Sequence, residues 1–247
     1  MIRSLFIPEE GCVWGCFDYN QQEPRLVVHY ASLQQLPSAF TVVDAYKEGN
    51  ADFHKIVADM AQIPRTQAKV INLGLFYGMG KAKLQAELGV SQEKAENLFA
   101  TYHSKVPFVK QLMNAVSQRA QQRGQIRTLL GRLCRFHLWE PNYFGIHKAL
   151  PHEQAILEHG PGIKRAFTYK ALNKLIQGSA ADMTKKCMLE LYKEGIVPHI
   201  QIHDELDISV KDDKEAKRIV EIMESAVELE IPNKVDYESG TNWGEIH

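Results

Sequence analysis

The segment from Pro198 to Val210 constrains the fold of this chain more than any other feature. Apolar and polar residues alternate on both sides of the tripeptide His203–Glu205, which is the pattern of two half-buried strands. The connection between these strands is short, yet it contains no Gly or Asn, the residues that tight hairpins favour. The pattern predicts a sheet edge that presents an imidazole and two carboxylates, either as a solvated acidic turn or as a functional site.

A further carboxylate ends another strand, far away in the sequence. Residues 12–17 favour a strand that stops at Asp18, and Pro24 fits the first turn of a following helix. If Asp18 and Asp204 came together, they would repel each other unless a divalent cation held them. Oxygen ligands without a His or Cys set suit Mg²⁺, and two ions about 3.5–4 Å apart stabilise both oxygens of a phosphoryl transfer. The sequence leaves open whether the two strands are neighbours.

The third feature is a helix with a cationic face, predicted between Pro64 and Gly78. The positions that recur every four residues are Arg65, Lys69, Leu73 and Tyr77. Two like charges at this spacing cost an isolated helix about 0.2–0.5 kcal/mol, and no acid on the face offsets them. A bound polyanion explains the face, with the cations on phosphates and the tyrosine ring against a base. The alternative is an ordinary amphipathic helix with two solvated cations.

Composition argues against a membrane protein and favours the cytoplasm. No stretch approaches the ~20 apolar residues of a membrane span, and Glu9–Glu10 interrupt the N-terminus as a signal peptide. The 247 residues are 45% hydrophobic, enough to bury a sizeable core in one or two domains. Four cysteines without a Cys-x-x-Cys pair indicate a reduced protein, and Cys12 and Cys16 fit core packing better than a zinc site.

The net charge of −1 is unevenly distributed. Between Glu96 and Glu140 there is no acidic residue. The basic residues in that interval are Lys105, Lys110, Arg119, Arg123, Arg127, Arg132 and Arg135. Such a stretch is typical of phosphate binding, although a solvated basic helix face remains the alternative.

Strands at both ends with helices between them predict an α+β fold, in which an antiparallel sheet is interrupted by a mostly helical subdomain. Strand-like residues 5–8 open the chain, and helices are expected from about 44 to 135. Residues 136–164 are richer in Pro, Gly and His and are predicted to be an inserted loop. A helix from about 165 to 194 then leads into the hairpin.

At these places the chain resembles the family A DNA polymerases, of the bacterial polymerase I and phage replicative type. Residues 18–25, DYNQQEPR, are similar to the family's first motif, DYSQIELR. The segment from Arg65 to Gly78 is similar to the second, RxxxKxxxFGxxYG, and residues 202–206, IHDEL, to the third, VHDE. The three motifs occur in the family's order, with smaller matches between them, so the resemblance covers nearly the whole chain.

The resemblance implies a palm formed by residues 1–40 and 165–247, interrupted by fingers at 41–164. It also implies a DNA-directed DNA polymerase that adds deoxynucleotides to a primer 3′ end by two-metal-ion phosphoryl transfer. Asp18 and Asp204 match the carboxylates that hold two Mg²⁺ ions. The backbone carbonyl of Tyr19 matches a further metal ligand, and Glu205 matches the accessory acid.

The resemblance also assigns nucleotide-binding roles. The residues that match those gripping the incoming triphosphate are Arg65, Lys69 and His54. Lys69 is in addition the candidate proton donor to the leaving pyrophosphate. Glu23 matches the steric gate that crowds a ribose 2′-hydroxyl, and Tyr77 matches the ring that stacks near the templating base. Leu73 stands where the family has Phe or Tyr, and a leucine cannot stack on the sugar as a ring does.

Contacts to the primer and template are implied for Asn173, Gln177, His203 and Arg132. Tyr169 stands where an arginine that binds primer–template is common, which removes one contact. None of the departures from the family pattern touches a metal ligand. We therefore expect a divergent but intact active site.

Family enzymes place a thumb and an exonuclease-type domain before the palm, whereas Met1 lies only 17 residues ahead of Asp18. We expect one half of a split phage polymerase, acting in the host cytoplasm with a separate polypeptide that carries those domains, or else a fragment. One alternative is a catalytically silent module that binds DNA or a replication partner, which the intact carboxylates argue against. Another is a two-metal nuclease, which would not need the cationic helix face.

Overall fold

A computed structural model describes residues 2–49, 52–76, 81–143 and 145–246. The helices are α1 Gln22–Leu33, α2 Phe40–Lys47, α3 Phe53–Ala61, α4 Arg65–Phe76, α5 Lys81–Leu88, α6 Gln92–Lys105, α7 Pro107–Arg123, α8 His152–His159, α9 Ala171–Lys193 and α10 Asp213–Ser225. The strands are β1 Val13–Tyr19, β2 Gln125–Arg127, β3 Leu133–Arg135, β4 Leu138–Pro141, β5 Leu150–Pro151, β6 Ile163–Arg165, β7 Ile200–Ile202, β8 Glu205–Val210 and β9 Val235–Gly240. Within these ranges, no helix combines the length and apolar character needed to cross a membrane.

Packing divides the chain into two compact units. The first consists of Met1–His29 and Ser179–His247, and the second of Tyr30–Gly178. The divisions fall inside α1 and α9, and both helices continue across them. The assignment of palm and fingers stays a prediction.

The first unit contains an antiparallel sheet with strand order β7-β8-β1-β9, which confirms the α+β fold. Alternate residues of β1 and β8 bury one face, where Phe17 and Leu206 are fully buried. On that face the Tyr19 hydroxyl donates a hydrogen bond to the carbonyl of Met223 in α10, at 2.7 Å. The amphipathic α10 thus covers this side of the sheet.

The opposite face of this sheet changes character along the strands. At one end Trp14, Cys16 and Trp243 are buried together, against the partly buried Ile200 and Ile202. Towards the other end the same face carries the acidic residues Asp18, Glu205, Asp207, Asp236 and Glu238. On this face, an apolar cluster therefore lies next to a group of carboxylates.

The second unit is mostly helical and contains α2 to α7. Its core includes Phe53, whose ring centroid lies 5.9 Å from that of Phe76 and 6.4 Å from that of Phe108. Helix α7 is capped by Gly124, whose φ of 67° lies in the left-handed region that glycine adopts easily. The chain then enters the β2-β3 hairpin and a small sheet with strand order β5-β4-β6.

Three sequence predictions about elements were wrong. Residues 5–8 form no strand; a 3-10 helix spans Arg3–Leu5, and the Phe6 ring packs against Trp243 at 5.4 Å. The expected loop at 136–164 contains β4, β5, α8 and most of β6, because the guanidinium of Arg165 covers the Trp139 ring at 4.4 Å and closes a small sheet. The helix expected from 165 begins only at Ala171, since β6 extends to Arg165 and a 3-10 helix spans Thr168–Lys170.

Candidate active site

Strand pairing brings the predicted metal ligands to one end of two neighbouring strands. In the antiparallel β1–β8 pair, Asp18 lies opposite Glu205. The backbone amide of Tyr19 also donates to the carbonyl of Asp204, at 3.4 Å. Asp18, Asp204 and Glu205 therefore lie at the same end of the neighbouring strands β1 and β8. The sequence alone did not determine that these strands are neighbours.

The hairpin that carries Asp204 is strained. Because Ile202 pairs with Glu205, the loop consists of His203 and Asp204 alone. His203 has a φ of 54°, a left-handed conformation that costs an L-residue about 1–2 kcal/mol. The Gln201 side-chain amide donates to the His203 carbonyl at 2.6 Å and supports this turn. In this turn His203 is exposed and Asp204 is half-buried.

The carboxylates at this edge fit a hard divalent cation. Burial raises the pKa of Asp204 above its ordinary value, although a backbone hydrogen bond and the nearby His203 act in the opposite direction. Asp236 on β9 flanks Asp18 on the side away from β8, and it accepts a 2.7 Å hydrogen bond from the Asn20 amide. Oxygen donors crowded in this way repel one another, and Mg²⁺ is the kind of ion that relieves such repulsion.

The second unit carries the cationic face on α4. Arg65 and Lys69 are exposed and Leu73 is half-buried, whereas Tyr77 lies outside the described residues. An Arg65 guanidinium nitrogen lies 2.7 Å from Oδ2 of Asp52. Asp52 also caps α3, because its Oδ1 accepts from the backbone amide of Lys55 at 3.1 Å. Burial would raise the pKa of Asp52, but these two hydrogen bonds lower it overall.

The imidazole of His54 has its hydrogen-bonding roles fixed by a buried chain of side chains. The Tyr102 hydroxyl donates to Oδ1 of Asn72, and the Asn72 amide donates to Nδ1 of His54 at 3.1 Å. Tyr102 and Asn72 are both fully buried. Nδ1 is therefore an acceptor, and the proton of the neutral ring is on Nε2.

The charge state of His54 agrees with this arrangement. Burial lowers the pKa of His54, and the positive charges of Arg65 and Lys69 lower it further, while Asp52 raises it. The neutral ring thus offers Nε2–H as a hydrogen-bond donor close to the two cations. This is a suitable set of donors for phosphate oxygens.

The predicted primer–template residues of the second unit gather around α9. Arg132 donates from Nη2 to the carbonyl of Gly178 at 2.6 Å. Gly178 directly follows Gln177 in the sequence. A Cβ atom at Gly178 would lie only 2.6 Å from Cγ2 of Thr128, so glycine permits this close approach of the β2-β3 connection. Asn173 is half-buried one helical turn earlier.

The predicted site residues are thus divided between the units. The first unit holds Asp18, Tyr19, Glu23, His203, Asp204 and Glu205. The second holds His54, Arg65, Lys69, Leu73, Arg132, Asn173 and Gln177. Each set is compatible with its expected role, and those roles stay predictions.

Sequence reasoning missed Asp52, Asn72 and Tyr102. Asp52 has a recognisable signal, since an Asp immediately before a helical run is a favoured N-cap. Asn72 is an amide within an otherwise apolar stretch of α4, which indicates a buried polar contact. Tyr102 has no local signal, because its partner lies 30 residues away.

Comparison with known proteins gives consistent matches. Residues 1–245 match DNA polymerase family A. The chain is 37% identical to a DNA-directed DNA polymerase of Pseudomonas phage M6, an alignment that covers 99% of this chain and 40% of the phage protein. It is 33% identical to DNA polymerase I of Geobacillus stearothermophilus, covering 98% of this chain and 27% of that protein. The chain therefore spans less than half the length of these relatives.

A solved structure shows the same fold. It is described as the POL domain of Pol1 from M. smegmatis in complex with DNA primer-template and dNTP. The TM-score is 0.76 at 26% identity, with 98% of this chain and 42% of the other covered. With the sequence match over nearly its whole length, the chain belongs to DNA polymerase family A.

Proposed function

We propose that this chain catalyses template-directed addition of deoxynucleotides to the 3′ end of a DNA primer. Its family supports the class of reaction. The placement of Asp18, Asp204 and Glu205 at one sheet edge is the observation that carries the proposal. Its relatives are DNA polymerases, and the similar Pol1 structure was solved with primer-template and dNTP.

Asp18 and Asp204 would hold two Mg²⁺ ions, with Glu205 and the carbonyl of Tyr19 as additional oxygen ligands. When bound, such ions activate the primer hydroxyl and stabilise the charge on the leaving pyrophosphate. Since burial raises the pKa of Asp204, protons and metal compete for this carboxylate. Activity should therefore fall on the acidic side as Asp204 gains its proton.

The residues of the second unit would act on the triphosphate. Arg65 and Lys69 bind its oxygens, and His54 donates from Nε2. The primer 3′ hydroxyl releases its proton to solvent as its oxygen attacks the α-phosphorus, and the bond from that phosphorus to the bridging oxygen breaks as pyrophosphate leaves. Lys69 gives a proton to that leaving oxygen. A phosphate that binds Arg65 replaces Asp52 as its partner.

Selection and positioning would use further side chains. Glu23, half-buried in the first turn of α1, excludes a ribose 2′-hydroxyl. Leu73 covers the sugar without stacking on it, and Tyr77 stacks near the templating base. The primer and template contact Asn173, Gln177, Arg132 and His203.

We also infer a separate polypeptide that carries thumb and exonuclease domains. The apolar side chains Ile2, Leu5 and Ile7 are 69–77% exposed, as expected of a surface that a partner covers. The chain spans only 40% of its phage relative, so a longer assembly fits the proposal.

Primer extension with Mg²⁺ tests the reaction, using the chain alone and with the product of the neighbouring reading frame. Asp18→Asn and Asp204→Asn should each lower extension by at least about 100-fold while DNA binding is retained. Glu238→Gln is the matched control, because Glu238 is an exposed acid on the same sheet face. Near wild-type extension by either aspartate variant would contradict the proposal.

A further inference from the structure

A fully buried carboxylate lies next to the sheet edge just described. Asp207 in β8 has no exposed surface. Its Oδ1 accepts from the Trp14 indole at 3.0 Å and from the Cys16 thiol at 2.7 Å. Its Oδ2 has no hydrogen-bond partner among the described residues. A buried carboxylate oxygen without a partner is energetically costly, and a bound cation would satisfy it.

Two other ligand-bearing side chains converge on Asp207. Cys16 lies opposite Asp207 in the β1–β8 register, and Glu205 lies two residues earlier on the same face of β8. One ligand atom from each of the three lies within 4.8 Å of the others. Cys16 is buried like Asp207, whereas Glu205 is half-buried.

We propose that Cys16, Glu205 and Asp207 form a binding site for a thiophilic divalent cation of the Zn²⁺ type. One sulfur and two carboxylates, with water as the fourth ligand, match tetrahedral zinc and not Mg²⁺, which takes oxygen ligands. The site is distinct from the Asp18–Asp204 pair, although it takes Glu205 from that edge.

Binding requires a defined exchange of bonds. The Cys16 sulfur forms a bond to the cation, and its proton leaves to solvent. Because the thiolate and not the thiol binds a metal ion, cation binding is coupled to this loss of the proton. Metal–sulfur and metal–oxygen distances of about 2.3 and 2.0 Å place sulfur and oxygen roughly 3.5 Å apart. The 2.7 Å contact between Cys16 and Asp207 must therefore open.

Sharing of Glu205 has a consequence that rests on the proposed function. A cation that binds Glu205 in the new site makes this carboxylate unavailable to the site at Asp18 and Asp204. Zn²⁺ should then inhibit Mg²⁺-dependent primer extension, and excess Mg²⁺ should not displace it from the thiolate.

Titration of the full chain with Co²⁺ alone, followed by absorbance, tests the site. One equivalent should produce a near-ultraviolet thiolate-to-cobalt charge-transfer band and release about one proton to a pH indicator. Cys16→Ser and Asp207→Asn should abolish the band, or weaken binding at least about tenfold. Cys12→Ser and Asp18→Asn are controls that should keep it. Circular dichroism establishes that each variant is folded.

A folded wild-type chain without a charge-transfer band would overturn the proposal, and so would a band that survives in Cys16→Ser. If the Cys16 and Asp207 variants do not fold, Glu205→Gln decides, because it must weaken Co²⁺ binding without touching the thiol. These readouts do not depend on catalysis. If the wild-type chain gave the cobalt band but no primer extension, the result would contradict the polymerase proposal and leave the metal-site proposal intact.

Discussion

At the residue scale, the imidazole of His54 depends on groups that lie far from it in sequence. Asn72 donates to its Nδ1, and Tyr102 in turn orients the Asn72 amide. Because a neutral histidine has one donor and one acceptor nitrogen, the partner of Nδ1 decides what Nε2 does. If His54 contacts a triphosphate, its buried partners are part of the nucleotide site.

We predict that Asn72→Leu impairs nucleotide use more than it impairs DNA binding. Loss of one oriented hydrogen bond is worth about 1 kcal/mol, or roughly a fivefold rise in the KM for the deoxynucleotide. Steady-state primer extension measures this change, and nitrogen-15 NMR of the imidazole reports the tautomer. Tyr102→Phe is the comparison, since it keeps the donor to His54 and should have the smaller effect. A wild-type His54 protonated on Nδ1 would contradict the mechanism.

A second residue-scale prediction concerns pH. Burial lowers the pKa of His29 below 6.5, although the Glu230 carboxylate opposes it, and Nδ1 of His29 accepts a 3.1 Å hydrogen bond from the amide of Glu230. The unfolded chain thus binds this proton more tightly than the folded chain. The stability from His29 is fully present above about pH 6.5 and is lost as pH falls towards the lowered folded pKa.

Urea unfolding between about pH 7.5 and 5 measures this contribution. His29→Gln should be less stable than wild type at the upper end, and its unfolding free energy should depend less steeply on pH. The exposed His137→Gln serves as the control. Parallel pH curves for wild type and His29→Gln would show that His29 does not titrate as described.

At the element scale, the β2-β3 hairpin approaches α9 through one glycine. The Cβ of an alanine at 178 would meet Cγ2 of Thr128 at 2.6 Å. We predict that Gly178→Ala destabilises the protein by about 1–2 kcal/mol, because overpacking outweighs the ~1 kcal/mol that alanine contributes to a helix. It should also weaken primer–template binding, since Arg132 bonds to the carbonyl of residue 178.

A thermodynamic cycle checks the mechanism of this effect. Thr128→Ser removes the methyl group, so the double variant should recover much of the lost stability. Gly162→Ala is the matched control, because a Cβ there meets nothing within 4 Å and the glycine has no positive φ. Additive losses in the double variant would mean that the clash is not the cause.

At the scale of the whole molecule, charge distribution matters more than net charge. The chain carries −1 overall, yet residues 97–139 contain seven Lys or Arg and no acid. If this stretch binds the DNA backbone, affinity should fall steeply with salt through counterion release.

We predict that Lys110→Gln and Arg135→Gln each reduce the slope of log affinity against log salt by about 1, without changing sequence preference. Both side chains are exposed. Fluorescence anisotropy with a labelled primer–template, between roughly 50 and 200 mM salt, gives the slope. Lys214→Gln makes the same charge change in α10 and should leave the slope unaltered. Equal slopes for the wild type and all variants would mean that Lys110 and Arg135 do not contact the DNA backbone.

The sequence by itself determined the features that depend on neighbours in the chain. A run of apolar, β-favouring residues predicted β1, and alternation of apolar residues predicted the β7-β8 hairpin. A four-residue period predicted the cationic face of α4. These patterns also carried the family resemblance. Short strands such as β4 and β5 escaped prediction, because two to four residues are too few to establish a period.

Tertiary structure alone decided which residues meet. Strand register set Asp18 opposite Glu205 and Cys16 opposite Asp207, although about 190 residues separate each pair. Alternation placed Asp207 on the polar side of its strand, whereas packing against Trp14 buried it completely. Periodicity records only which face a side chain occupies. Whether that face meets solvent, a core or another carboxylate depends on segments elsewhere in the chain, and only the folded structure specifies them.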